Sequence, residues 1–263
     1  MAKVIAGIGT GIIGTLDELS FYRMKGVDKT IVRRKGGHTK EKVKNMPGVK
    51  KAISEFSGRS TASKYLRSAL CTQVNLAGRN LAGTINALML PVQENDQAAP
   101  FGKRNINLSS CPHILTGFSL NKTDIFDSIV RYPLSWSLQK ETGTATVHLP
   151  ELVPGLSLVS QETHPYYRFK VTLGVMPDLK WTKSMYMPVV MKYQYGAIET
   201  HSTWYPLLEG SPALDLSVIR PDLPAGDQYT LVLTVGICYG IVQGTNHIAQ
   251  APNAGSAKIL EVV

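Results

Sequence analysis

In run after run between residue 106 and residue 263, apolar side chains return at every second position, and that period of two dictates strands. Leu134, Trp136 and Leu138 alternate with Ser135, Ser137 and Gln139. After a turn ending at Gly143, Ala145, Val147 and Leu149 alternate with Thr144, Thr146 and His148. Two such runs around a glycine turn are a hairpin with one buried and one wet face, Trp136 among the buried residues. Phe169 to Val175, Val189 with Met191, Tyr193 and Tyr195, Leu214 to Val218, and Tyr229 to Ile237 repeat the pattern. With apolar runs at 106–111, 115–120 and 257–263 this makes about eight to ten strands between Pro/Gly turns. The expectation is a mainly β chain whose residues 106–263 form a β-sandwich, immunoglobulin-like or jelly-roll-like.

The first 105 residues follow other rules. Residues 1–16 are glycine-rich and apolar, so a free end of this kind would be sticky and is expected to insert against something. Runs at 19–24 and 30–35 flank a Gly/Asp loop and read as a β-hairpin that needs a surface to cover, because a lone hairpin is marginal in water. Helical spacing follows from Pro47 through Val49, Ala52, Ile53, Phe56, Ala62, Leu66, Ala69 and Leu70, with an interruption expected at Gly58. A second periodic set, Ala77, Leu81, Ile85, Leu88 and Met89, is expected to stop at Pro91. The organisation read from this is an arm at 1–46, a helical segment at 47–92, a linker at 93–105 and the β domain at 106–263.

Charge divides the chain in the same way. Residues 1–104 hold 18 Lys/Arg and 7 Asp/Glu, against 10 and 12 in residues 105–263. The densest cationic tract comprises Arg33, Arg34, Lys35, Lys40, Lys42, Lys44, Lys50 and Lys51. It suits a polyanion such as nucleic acid, an acidic neighbouring subunit, or simply a solvated basic face. Phe21, Tyr22, Ile31 and Val32 supply the apolar part of the arm. Three cysteines far apart argue against a disulfide framework and suit a reducing compartment. The apolar start lacks a small-x-small cleavage site and runs at once into Asp17 and Glu18, and no run approaches the about 18 apolar residues of a membrane span. The protein is therefore expected in the cytoplasm when made, and within an assembled particle afterwards.

Chemical motifs are weak. Gly9-Thr-Gly11-Ile-Ile-Gly14 matches G-x-G-x-x-G, but a strand rather than a helix is expected after it, so no dinucleotide site is predicted. Cys111-Pro-His113 has no second pair at metal-ligand spacing, and the remaining histidines are scattered. Cys238, between Ile237 and Tyr239, reads as a core thiol. No catalytic residue, cofactor or metal ligand is assigned. Among the aromatics of the β domain, for which core or subunit interface is the favoured reading, Trp181, between Lys180 and Lys183, is the best candidate for a loop contact with a ligand such as a glycan.

The segment Gly14-Thr-Leu-Asp-Glu-Leu-Ser-Phe-Tyr22, followed by Val32-Arg-Arg-Lys-Gly-Gly37, resembles the opening of a group of uncharacterised Bacteroidota proteins. That likeness covers roughly the first quarter of the chain and implies no activity. In layout, a basic arm before a β-sandwich is similar to many viral capsid proteins. The expected function is a non-catalytic structural subunit that assembles with itself through its arm. The alternative is a nucleic-acid- or glycan-binding module.

Overall fold

The computed structural model describes residues 2–4, 12–24, 27–36, 39–160, 163–190, 196–244 and 247–263, with backbone only at 2–4, 40, 42 and 43. The nucleotide-like glycines Gly9 and Gly11, the loop residues Lys25 and Gly26, and the expected strand residues Met191, Tyr193 and Tyr195 lie outside them. The chain is mainly β, in antiparallel sheets, and divides into two compact units, Met1–Ala52 and Ile53–Val263.

In the first unit, β1 (Ala2–Val4), β2 (Gly14–Leu16), β3 (Leu19–Met24) and β4 (Val27–Arg34) form a four-stranded sheet in the order β1-β4-β3-β2. The expected hairpin is β3–β4, and the glycine-rich start supplies a strand at each side of it. A short helix, α1 (Lys40–Asn45), follows, and then α2 (Pro47–Leu70). Helix α2 passes through Gly58 without interruption. A Cβ there would lie 2.7 Å from the Tyr186 ring, so the glycine is a seat for that ring rather than a break. The buried line of α2 runs through Glu55, Gly58, Ala62, Leu66 and Ala69, which leaves Ile53 and Phe56 exposed, contrary to the apolar stripe expected from their spacing.

In the second unit, Cys71–Leu76 is a 3-10 turn and α3 spans Leu81–Glu94. Pro91 does not stop α3. The helix runs one turn further because Val92 is buried and the Gln93 amide donates to Arg104 O and Tyr186 Oη. Asp96 and Glu55 tie down the segment read as a linker. Asp96 accepts from the backbone of Ala98, Ala99 and Asn105, and Arg104 meets Glu55 in a bidentate pair at 2.7 and 2.5 Å. The expected strands at 106–111 and 115–120 are reduced to isolated bridges, Ile106 with Leu179 and Ser119 with Lys258, and two 3-10 turns, Leu108–Ser110 and Pro112–Ile114. Pro112 lacks the N–H that a ladder needs, and Gly117 turns the chain at φ 78°. Their apolar residues Ile106, Leu108, Leu115 and Leu120 are buried all the same. After the short helix α4 (Phe126–Ile129) come β5 (Ser135–Gln139), β6 (Thr144–Leu149), β7 (Tyr166–Pro177), β8 (Leu179–Thr182) and β9 (Met185–Pro188). They are followed by β10 (Gly196–His201), β11 (Tyr205–Pro206), β12 (Leu214–Ile219), β13 (Tyr229–Gln243) and β14 (His247–Val262).

The large sheet runs β10-β7-β13-β14, with β11 added to β7. A three-stranded sheet runs β12-β6-β5, and β8 pairs with β9. Alternation decides what faces what. Phe169, Val171, Leu173 and Val175 of β7 and Leu231, Leu233, Val235 and Ile237 of β13 share one core with Ala145, Val147, Leu149, Leu216 and Val218 of the small sheet. The opposite face of the large sheet, with Met176, Val232, Cys238, Ala257 and Ile259, shares a second core with Leu66, Leu70, Leu76, Ile85 and Met89 of the helices. Strands β7 and β13 are therefore covered on both sides. Trp136 departs from the expected core position: β5 is the outer strand of its sheet, and the indole is 39% exposed with its N–H donating to Glu261 at 2.8 Å.

The Glu55–Arg104 pair yields a test of stability. Burial alone would raise the Glu55 carboxyl, but the bonds from Arg104 and from the Gly102 N–H outweigh it and hold its pKa below the ordinary 4.5. A carboxyl depressed in the folded state stabilises above its unfolded pKa, and that contribution is lost as the pH falls from about 4.5 through the folded value. Glu55→Gln should cost about 3 kcal/mol at neutral pH in urea unfolding, by leaving Arg104 without its partner, and should flatten the acid limb below pH 4.5. An unchanged midpoint would show that the pair holds nothing together.

Candidate assembly face of the N-terminal unit

The four-stranded sheet of the first unit places its side chains by register. Leu16 pairs with Leu19 and Leu19 with Arg34, while Gly14 pairs with Phe21 and Phe21 with Val32. Leu16, Leu19, Phe21, Val32 and Arg34 thus stand on one face, and Ser20, Tyr22, Ile31 and Arg33 on the other. On the first face Leu16 is 60% and Leu19 40% exposed, and Phe21 and Val32 are half-buried. Just before β2, Ile12 and Ile13 are exposed too. Each Leu fully covered by a partner would contribute about 1.5–3 kcal/mol.

Local chemistry explains the shape. Asp17 takes φ 48° in the two-residue turn between β2 and β3, a conformation that Asp tolerates better than most residues. The turn is closed off where the Lys35 N–H donates to Glu18 O. Among the described residues of this unit only Thr30 and Ile31 are buried, so the sheet has almost no core of its own.

The sequence-predicted arm residues divide between the two faces: Phe21 and Val32 on the open face, Tyr22 and Ile31 on the other, where the Arg33 guanidinium lies 5.4 Å from the Tyr22 ring centre. Arg33, Arg34, Lys35, Lys44, Lys50 and Lys51 are exposed, whereas the side chains of Lys40 and Lys42 lie outside the described residues. Sequence reasoning missed Leu16 and Leu19. The signal was there, because they flank a two-residue Asp-Glu turn at hairpin distance. Trp181 is on β8 rather than in a loop, half-buried and edge-on to Tyr186 at 5.1 Å, with its backbone N–H bonded to Asn105.

In the larger unit a buried polar cluster lies on the helix-facing side of β7 and β10. Lys170, 3% exposed, donates to Thr72 Oγ1 at 3.0 Å and lies 3.8 Å from Glu199. Glu199 also accepts from the Thr72 hydroxyl and lies 2.9 Å from His201 Nε2. Burial lowers the His201 pKa below 6.5. Arg168 and Lys170 add to that, and Glu199 opposes it. The arrangement ties the 3-10 turn to the sheet, and Gln73 reinforces it by donating to Lys170 O and Thr172 Oγ1. Burial pushes the Cys238 thiol up, which suits packing rather than nucleophilic chemistry. Among the described residues no three of His, Cys, Asp and Glu converge on a metal position, and no helix is long and apolar enough to cross a membrane. No family model, curated protein or solved structure matches the chain.

Proposed function

We propose that this protein is a non-catalytic structural subunit that assembles with copies of itself into a shell, tube or virion-like particle. In this reading the larger unit is the brick, a β-sandwich of the immunoglobulin or jelly-roll kind, and the N-terminal unit is the arm that contacts neighbouring subunits. One observation carries it: the arm presents Leu16, Leu19, Phe21 and Val32 on a single sheet face, and among its described residues only Thr30 and Ile31 are buried. A four-stranded sheet in that condition gains stability only by covering the face. The exposed cations Arg34, Lys35, Lys44, Lys50 and Lys51 favour a second role, nucleic acid held inside the particle.

The test is the mass of the full-length protein by light scattering at low and high salt, with its 260/280 nm absorbance ratio. A particle many times the 28.7 kDa of the chain, persisting in high salt, is the expected result, because apolar contacts are not screened. A monomer at every concentration and salt would sink the proposal. A raised absorbance ratio that falls with salt would add nucleic acid as cargo.

A further inference from the structure

In the larger unit two segments, loop 151–158 and β11 with the loop after it (205–212), lie side by side. Leu152 and Ser211 exchange both backbone hydrogen bonds, at 2.9 and 3.1 Å. Gly210 makes that approach possible: it sits at φ 80°, and a Cβ there would be 2.0 Å from Leu152 O. Between the loops is a groove of about 500 Å³ walled by Val153, Pro154, Tyr205 and Pro206. Its surroundings are unusually apolar for surface turns. Leu208 is 90% and Leu156 73% exposed, and Val153 is 44% exposed. Water-facing leucines at the tips of two tied loops are a mark of an interaction surface. The groove's charged lining residues are Glu151 and Glu209, both exposed, and neither has a cationic partner within salt-bridge distance among the described residues.

The chemistry that would fill this groove is an apolar surface edged with positive charge. The chain carries such a surface: one face of the N-terminal sheet presents Leu16, Leu19, Phe21 and Val32, with Arg34 on the same face and Lys35 next to it in sequence. Residues 1–52 hold 12 Lys/Arg against 4 Asp/Glu, whereas the remaining residues hold 16 against 15, so the cationic complement to Glu151 and Glu209 is concentrated on the arm. We infer that the groove between loops 151–158 and 205–212 receives the N-terminal sheet of a second copy of this chain. This rests on the self-assembly reading and names its acceptor. Because donor and acceptor are different surfaces, the contact is head-to-tail, and it propagates until it closes as a ring or continues as a filament.

A charge-swap experiment decides it. One variant, Glu151→Lys with Glu209→Lys, reverses the groove. The other, Arg34→Glu with Lys35→Glu, reverses the edge of the arm. All four residues are exposed, so each variant should melt within a few degrees of wild type. Light scattering at about 0.15 M salt should show each variant alone at least tenfold weaker in self-association than wild type. An equimolar mixture should recover assembly, since each arm then meets a groove of opposite sign. Such recovery cannot come from an arm folded onto its own chain, so it also reports contact between copies. Variants that assemble like wild type would overturn the groove as acceptor and leave the self-assembly reading standing. Loss of assembly without recovery on mixing would equally overturn the pairing. A wild-type monomer would remove both.

Discussion

A chain lacking residues 1–37 is expected to run as a soluble monomer under conditions where the full-length protein forms a particle. The deletion removes β1 to β4 whole, and with them every residue of the open face. It leaves the larger unit's interior intact: the earliest residue in either of its two core clusters is Ala62. Melting of the truncated protein should therefore stay close to that of the parent's larger unit, while its scattering mass drops to that of one chain. The narrower substitution Leu16→Asp with Leu19→Asp should do the same with the arm still present, since two buried carboxylates at a contact would oppose it by several kcal/mol. If the truncated chain still assembles, the arm is not the adhesive and the brick surfaces hold the particle together. If it precipitates, the sheet is covering apolar surface within its own chain rather than on a neighbour.

How much of this was legible in the residues depends on which neighbour fixes each one. Strand β13 announces itself through Tyr229, Leu231, Leu233, Val235 and Ile237, because that face meets the small sheet and must be apolar. Its other face carries Thr230, Thr234, Gly236 and Cys238, and opposite it on β7 stand Lys170 and Thr172. Alternation alone would call these wet, yet Lys170 is 3% exposed and the rest are buried or closely packed, because helices cover that side. A period of two shows one face of a strand and is silent about a second layer. Strand β10 was unreadable: Gly196-Ala-Ile-Glu-Thr-His201 has no apolar rhythm, and its Glu199 and His201 serve the buried cluster instead. The first half of β14 was hidden by Pro252, which the sheet accepts at a bulge where Cys238 pairs with Gly255 and Gly240 with Gln250.

The candidate site divides the same way. Phe21, Tyr22, Ile31 and Val32 were recognisable as the apolar part of the arm, but only the register separates them into two faces and brings Leu16 and Leu19 to the open one. The cations were visible as a tract. The groove was not, because Glu151 and Glu209 belong to turns far apart in sequence, joined by the backbone bonds of Leu152 and Ser211. Spacing also misled where a helix was concerned: Ile53 and Phe56 have the right period, but Tyr186 packs on Gly58 and turns a different line of α2 inward.

Replacing Gly174 should severely destabilise the larger unit, more so the larger the side chain. Gly174 sits in the middle of β7 facing the helices, and a Cβ there would be 2.0 Å from the carbonyl oxygen of Ala69, at the end of α2. That atom is backbone, followed directly by the 3-10 turn that Gln73 anchors to Lys170 O and Thr172 Oγ1, so it has little room to retreat. Gly174→Ala should lose at least about 3 kcal/mol in urea unfolding, the upper end for an overpacked core, and Gly174→Val should fail to give a cooperative transition. The control is Gly48→Ala in α2, the same chemical change with nothing within 4 Å of the new Cβ. It should be neutral or stabilise by up to about 1 kcal/mol, since Ala is the better helix former. If Gly174→Ala melted with the control, α2 would not lie against the large sheet at Ala69. The sheet's helix-facing side would then be open there, and the burial of Lys170 and the restraint on His201 would need another cause. If it unfolds as expected, the residue that alternation marks as a gap in the strand is the point on which the helical layer closes.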